Sequence, residues 1–260
     1  MSEQPTQEHK GAAFRALHAG EAFVIPNPWD AGSARVLEAL GFRALATTSS
    51  GFAFTLGRPD GGATIAEVVE HVRALTARTT LPLSVDLEDG HDDPAAALAR
   101  IARAGAVGGS IEDFDRERQV LYPLQEAEAR LSAAVAAADE LDFPFTLTAR
   151  AENHIRGNPD LDDTIARLQA YERVGADVLY APGLRDVAEI QAVCAAVSRP
   201  VNVLARPDLT VAAIAQAGAR RISLGGGLAW VAAQAMTDAA TRLRDTGEFT
   251  FASGPQIDGW

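Results

Sequence analysis

The chain has 260 residues, 47% of them hydrophobic, and a formal net charge of −12 at pH 7. That charge repels a polyanion, so nucleic acid is a poor partner, and no stretch approaches the roughly 18 uninterrupted apolar residues of a membrane span. Cys194 is the single cysteine, which rules out an internal disulfide and a cysteine-rich zinc site.

In chain order, short apolar runs alternate with alanine-rich helical stretches. Ala22–Pro26 reads as a first strand, and Asp30 caps a helix that ends at Gly41. Arg43–Thr48 is the second strand, followed by a helix from Thr64 to about Arg78. Leu81–Asp86 is the third, with a helix over Asp93–Ala104, and Val107–Ile111 is the fourth, with a helix over about Glu126–Leu141. Pro144–Ala149, Asp177–Tyr180, Pro200–Leu204 and Arg220–Leu224 supply the remaining strands. Their helices run over about Leu161–Val174, Asp186–Val197, Thr210–Gly218 and Leu228–Arg244.

Eight such units predict a (β/α)₈ TIM barrel in one domain over 1–260, with an open doubly wound sheet as the alternative. Gly105-Ala106, Gly175-Ala176 and Gly218-Ala219 each precede a strand, where glycine ends a helix in the left-handed region. Residues 1–10 and 246–260 read as terminal extensions. Met1–Lys10 carries no apolar signal core, so a cytoplasmic protein is expected. The connection Asp113–Gln125 has the length of an active-face lid.

A barrel of this kind carries its chemistry at the C-terminal ends of its strands. Asp86 and Glu88 follow the third strand two residues apart, Glu112 ends the fourth, and Asp60 lies in the loop after the second. Clustered carboxylates without paired histidines or cysteines suit a hard cation, Mg²⁺ or Mn²⁺; helix capping is the plainer role, and it is preferred for Asp89, Asp92 and Asp93. Arg150 at the end of the fifth strand needs anionic company, either a substrate carboxylate or phosphonate, or an internal pair with Glu112 or Glu152. Ser49, Ser50 and Gly51 offer hydroxyl and backbone donors. Gly225-Gly226-Gly227 reads as a tight turn, and His18 and His71 as surface residues of helices.

These segments resemble the isocitrate lyase/phosphoenolpyruvate mutase superfamily from Pro26 to about Arg244: PNPWDAGSARVLEALGF, TTSSGF with LGRPDG, SVDLEDGH, GSIEDF and TARAEN stand in the family's order. The resemblance implies Mg²⁺ held by Asp60, Asp86, Glu88 and Glu112, and a 2-oxo acid carboxylate held by Ser50, Gly51 and Arg150. Ser49 and Asn202 complete the candidate substrate-binding set. The implied chemistry makes or breaks a C–C or P–C bond beside a 2-oxo acid through a pyruvate-type enolate. The family's tetramers, with the last helix against a neighbouring subunit, imply a homotetramer here.

The chain also departs from the family pattern. Glu88 stands where aspartate is usual, His91 where tyrosine is, and Asp92 where glycine is. The lid reads DFDRERQVLYPL, with neither the lyases' KKCGH nor the mutases' KTNS. The expectation is therefore a Mg²⁺-dependent C–C lyase related to oxaloacetate decarboxylase or methylisocitrate lyase. A P–C enzyme (phosphonopyruvate hydrolase or phosphoenolpyruvate mutase) and a non-catalytic 2-oxo acid binder are the alternatives. Arg150, Glu112, His91 and Tyr122 form the candidate catalytic set, with His154 as a further proton donor.

Overall fold

A computed structural model gives the architecture; it describes residues 4–250 and Gly254. Eight parallel strands form one sheet: β1 (Phe23–Ile25), β2 (Leu45–Ala46), β3 (Leu83–Asp86), β4 (Gly108–Glu112), β7 (Thr146–Arg150), β8 (Val178–Tyr180), β9 (Val201–Leu204) and β10 (Arg221–Ser223). Their order is β1-β10-β9-β8-β7-β4-β3-β2. The two end strands meet where Ala46 N–H donates to Pro26 O at 3.1 Å, so the sheet curls into the expected barrel.

Helices α2 (Ala31–Ala39), α4 (Ile65–Thr76), α5 (Pro94–Arg103), α6 (Leu124–Asp139), α7 (Leu161–Val174), α8 (Val187–Ala196) and α9 (Val211–Gln216) surround it. Most begin at the side-chain caps legible in the sequence: Asp30, Thr64, Asp93, Asp160, Asp186 and Thr210 each accept a bond from a first-turn N–H. Gly175 ends α7 at φ 118°, as a left-handed C-terminal glycine should.

Strand alternation sorts the side chains into two environments. Leu83, Val85, Ile111, Leu147, Ala149, Val201, Val203 and Ile222 point outward into the core beneath the helices. The alternate positions Ser84, Asp86, Ser110, Arg150, Asn202, Arg221 and Ser223 line a cavity inside the barrel. A barrel interior is ordinarily filled with branched apolar side chains; here polar side chains share the lining with apolar ones such as Ile25, Ala46 and Leu204.

Four elements depart from the sequence reading or were absent from it. Residues expected as a terminal extension begin α1 (Gln7–Ala19), capped by Thr6. Its Phe14 packs with Phe23, Ala44 and Val107 at the strand starts, so α1 closes the N-terminal end of the barrel. Ser49-Ser50-Gly51 forms the first turn of a helix absent from the sequence reading, α3 (Ser49–Thr55), capped by Thr48. The lid is a hairpin, β5 (Phe114–Asp115) against β6 (Val120–Leu121). The expected C-terminal extension begins inside α10 (Gly227–Thr246), and residues 251–253 and 255–260 lie outside the described residues.

His18 and His71 are buried, not on the surface as expected. Helical position alone did not report this: His18 faces the barrel floor, and His71 stacks on Phe52 of α3 with ring centroids 4.0 Å apart. Burial lowers the His71 pKa to about 4 and that of His18 to about 3, with Arg221 adding to the latter. Both rings are neutral when folded but take a proton near pH 6.5 when unfolded. Their stabilisation is thus full above about pH 6.5 and is lost as pH falls toward about 4 and then about 3. His71→Phe keeps the stack and loses nothing at Nε2, which has no hydrogen-bond partner. The variant is expected to recover about 3 kcal/mol of unfolding free energy at pH 4.5 relative to pH 7. Urea titrations at the two pH values measure it; parallel pH dependence in variant and wild type would show that His71 is not a source of the acid sensitivity.

Candidate active site

The cavity opens at the C-terminal ends of the strands and has a volume of about 260 Å³. Arg150, the last residue of β7, crosses its mouth. Nη1 donates to Asp86 Oδ1 at 2.9 Å, Nη2 lies 2.6 Å from Glu152 Oε1 and 3.1 Å from Glu112 Oε2, and the Tyr180 ring centroid is 5.2 Å from the guanidinium carbon. The internal pairing considered for Arg150 is therefore present with both glutamates and with Asp86 as well.

A second arginine went unnoticed in the sequence. Arg116, in the lid hairpin, reaches back to three of the four expected metal ligands. Its Nε is 3.2 Å from Glu112 Oε1, Nη1 3.4 Å from Glu88 Oε1 and Nη2 3.7 Å from Asp60 Oδ2. Arg156 adds a third guanidinium, 3.4 Å from Glu112 Oε1 and 3.0 Å from Glu152 Oε2. The signal for Arg116 was its spacing of four from Glu112; the hairpin that exploits it was not legible.

Asp60, Glu88 and Glu112 thus meet at Arg116, and Asp86 and Glu112 at Arg150. β3 ends at Asp86, and Glu88 sits in a turn with a left-handed φ of 54°. That backbone is uncommon outside glycine. It is held by Glu88 N–H on Asp86 Oδ1 at 3.3 Å and by Glu112 N–H on Glu88 O at 2.7 Å.

Five carboxylates (Asp60, Asp86, Glu88, Glu112, Glu152) against three guanidinium groups leave a formal excess of two negative charges. Burial pushes Glu88 up to about 7 and Glu112 up to about 8, with the neighbouring arginines pulling the other way. For Asp86 burial is outweighed by Arg150, Arg116 and the Ser49 and Glu88 N–H groups, which hold it below the usual range. Glu112 Oε2 is buried, with Arg150 Nη2 3.1 Å away but not aligned as a hydrogen bond. A divalent cation would answer the formal excess of charge, and all-oxygen donors suit a hard one. The carboxylates are turned onto the arginines, so among the described residues no three are arranged as a ready-made metal site.

The remaining expected residues divide. Ser49, Ser50 and Asn202 line the cavity, and Ser49 N–H donates to Asp86 Oδ2 at 3.3 Å. Gly51 is a packing residue: a Cβ there would stand 2.6 Å from Thr48 Cγ2. The candidate proton donors do not line the cavity. Tyr122 is buried and donates to Asp89 Oδ2 at 3.1 Å, with Arg130 against its ring. His91 is at φ 55° with its Nε2 buried and unbonded. His154 Nδ1 meets Thr164 Oγ1 at 2.8 Å and its Nε2 faces Glu189 at 3.8 Å. The phenol that does line the cavity is Tyr180, pushed up to about 12 chiefly by burial.

The family model for phosphoenolpyruvate phosphomutase matches residues 14–244. The chain belongs to the phosphoenolpyruvate phosphomutase family. A Burkholderia cenocepacia J2315 protein provisionally described as a lyase or mutase superposes with a TM-score of 0.92 at 49% identity, covering 96% of this chain and 94% of that one. An oxaloacetate decarboxylase of Bradyrhizobium diazoefficiens is 31% identical over 246 residues, 89% of this chain and 84% of that protein. A phosphonopyruvate hydrolase in complex with oxalate and Mg²⁺ superposes with a TM-score of 0.84 at 25% identity, covering 94% and 88%. The phosphomutase-family chain is accordingly an enzyme of the phosphoenolpyruvate mutase/isocitrate lyase superfamily, as its motifs implied. No helix among its described residues is long and apolar enough to cross a membrane.

Proposed function

We propose that this enzyme is a divalent-metal-dependent carbon–carbon lyase acting on a 2-oxo or 2-hydroxy dicarboxylate, with oxaloacetate the first substrate to test. The observation that carries the reading is that Asp60, Glu88 and Glu112 meet at Arg116 while Asp86 and Glu112 meet at Arg150, with a formal excess of negative charge at the cavity mouth. The oxaloacetate decarboxylase relative supports the C–C chemistry, and the oxalate- and Mg²⁺-bound neighbour supports the ligand class.

Asp60, Asp86, Glu88 and Glu112 would hold Mg²⁺, with Mn²⁺ as a substitute. When bound, such an ion supplies Lewis-acid stabilisation of negative charge growing on the keto oxygen. Arg150 presents a planar fork to the substrate carboxylate, and its three acidic partners fix that fork in advance. Ser49 and Ser50 hold the same carboxylate from the start of α3, and Asn202 bounds the cavity below. Tyr180, against Arg150, holds a proton at Oη within the cavity and is the acid placed to return it to an enolate carbon. Cleavage leaves pyruvate or a 2-oxo acid relative.

Oxaloacetate and substituted malates incubated with Mg²⁺ should yield pyruvate or glyoxylate, detected by coupled reduction, and yield should stop on chelation. Phosphate release from phosphonopyruvate, followed by ³¹P NMR, with no C–C product would transfer the assignment to the P–C branch of the family. Tight oxalate binding with no product from any substrate would make the chain a binder.

We also infer that α10 packs against a second copy in a homo-oligomer, in line with a tetramer. Ala229 is its one buried residue, while Trp230, Val231 and Met236 are exposed and Phe54 packs edge-on against Trp230. A sedimentation mass of a monomer would refute that assembly.

A further inference from the structure

The floor of the cavity carries a cation with no part in the chemistry above. Arg221, at the start of β10, is 4% exposed and spans the barrel interior. Its Nε donates to Asn202 Oδ1 at 2.9 Å, its Nη2 donates to Thr148 Oγ1 at 2.9 Å, and its Nη1 lies 3.4 Å from His18 Nε2. All three partners are neutral. His18 Nδ1 lies 2.9 Å from Phe14 O, which sets it as the donor and leaves Nε2 a lone-pair acceptor.

Every arginine at the cavity mouth meets at least two carboxylates, but among the described residues none pairs with Arg221. Buried charges in proteins are ordinarily paired, because an uncompensated one keeps its full desolvation penalty. A guanidinium has five N–H donors, and the three partners named leave two of them over. Arg221 lines the cavity together with Ser84 and Ser110, whose hydroxyls can donate, while Ser223 Oγ accepts from Asn202 Nδ2 at 2.9 Å and bonds Tyr180.

We propose that this floor is an anion site: the two remaining Arg221 N–H groups and the adjacent serine hydroxyls take a small monoanion, either a halide or the carboxylate of an organic ligand standing in the cavity. One uncompensated positive charge surrounded by neutral donors selects a monoanion over a dianion. Arg150 at the mouth shares its charge with three carboxylates, whereas Arg221 has none within pairing distance among the described residues. The site does not depend on the lyase assignment or on metal.

Chloride binding to the full chain is read by ³⁵Cl NMR line broadening at fixed ionic strength, without divalent metal. Wild type should show saturable excess linewidth. Arg221→Gln should reduce it to the level of buffer, and Asp86→Asn should leave it intact, so failure of the mouth chemistry is distinguishable from failure of the floor site. Acetate that displaces chloride would identify carboxylates as occupants; chloride that persists would restrict the site to halides. Wild-type crystals soaked in bromide give a readout that needs no variant, an anomalous peak within hydrogen-bond distance of the Arg221 Nη atoms. Equal linewidth in wild type and Arg221→Gln, or bromide sites elsewhere with none at Arg221, would overturn the proposal.

Discussion

Arg150→Lys is expected to lower kcat/KM for the productive dicarboxylate by ~10²- to 10³-fold while the protein still folds. The fork of Arg150 is held by Asp86 at 2.9 Å, Glu152 at 2.6 Å and Glu112 at 3.1 Å. A lysine ammonium keeps one charge but lacks the planar fork. It can satisfy one or two of these acids while presenting nothing bidentate to a substrate. Arg150→Gln goes further, because Glu112 and Glu152 have side chains with no exposure and would lose the nearer of the two cations they share, keeping Arg156. Breaking a buried pair from one side costs about 3–5 kcal/mol, so that variant should melt well below wild type. The two variants separate roles: a Lys variant with a wild-type melting point and a large catalytic loss marks Arg150 as substrate-binding, whereas catalysis within about threefold of wild type would show that Arg150 only buttresses the acids.

The sequence carried the barrel in the alternation of apolar runs with capped helices, because each of those signals is local. Asp30, Thr64 and Asp93 cap their helices where their spacing implies, and the polar alternate positions of the strands face inward. What escaped was set by tertiary contact. α1 has helix-forming residues and a Thr6 cap, but its docking onto the strand starts through Phe14 is a tertiary contact. His71 is indistinguishable from a surface histidine until Phe52 stacks on it. At the site, the carboxylates were legible from their clustering at strand ends together with the family motifs that contain them. Their counter-charges were not, because Arg116 reaches them through a hairpin turn around Gln119, at φ 57°, that has no glycine to announce it. Tyr122 and His91 had the right chemistry in the right loops, but Asp89 takes the first and the second does not reach the cavity.

Arg116→Ala is expected to tighten metal binding. Its guanidinium lies within 3.2 to 3.7 Å of Glu112, Glu88 and Asp60, the oxygens that would serve a cation. A unit charge about 4 Å away is worth roughly 4 kcal/mol at an effective dielectric of 20, and a part of that is lost to screening at a cavity mouth open to water. Retaining about 1.4 kcal/mol of it gives a tenfold fall in Kd for Mn²⁺, read by electron paramagnetic resonance or calorimetry without substrate. The same deletion removes the one lid side chain that touches the acidic centre, so turnover should fall even as the ion binds better. This opposition is the diagnostic. A side chain that merely propped the acids open for the ion would, when removed, weaken metal binding and turnover together, and a Kd raised in Arg116→Ala would therefore refute competition between the guanidinium and the ion for the same oxygens. Arg116→Lys keeps a charge near the centre without the fork, so its Kd should lie between those of wild type and the alanine variant.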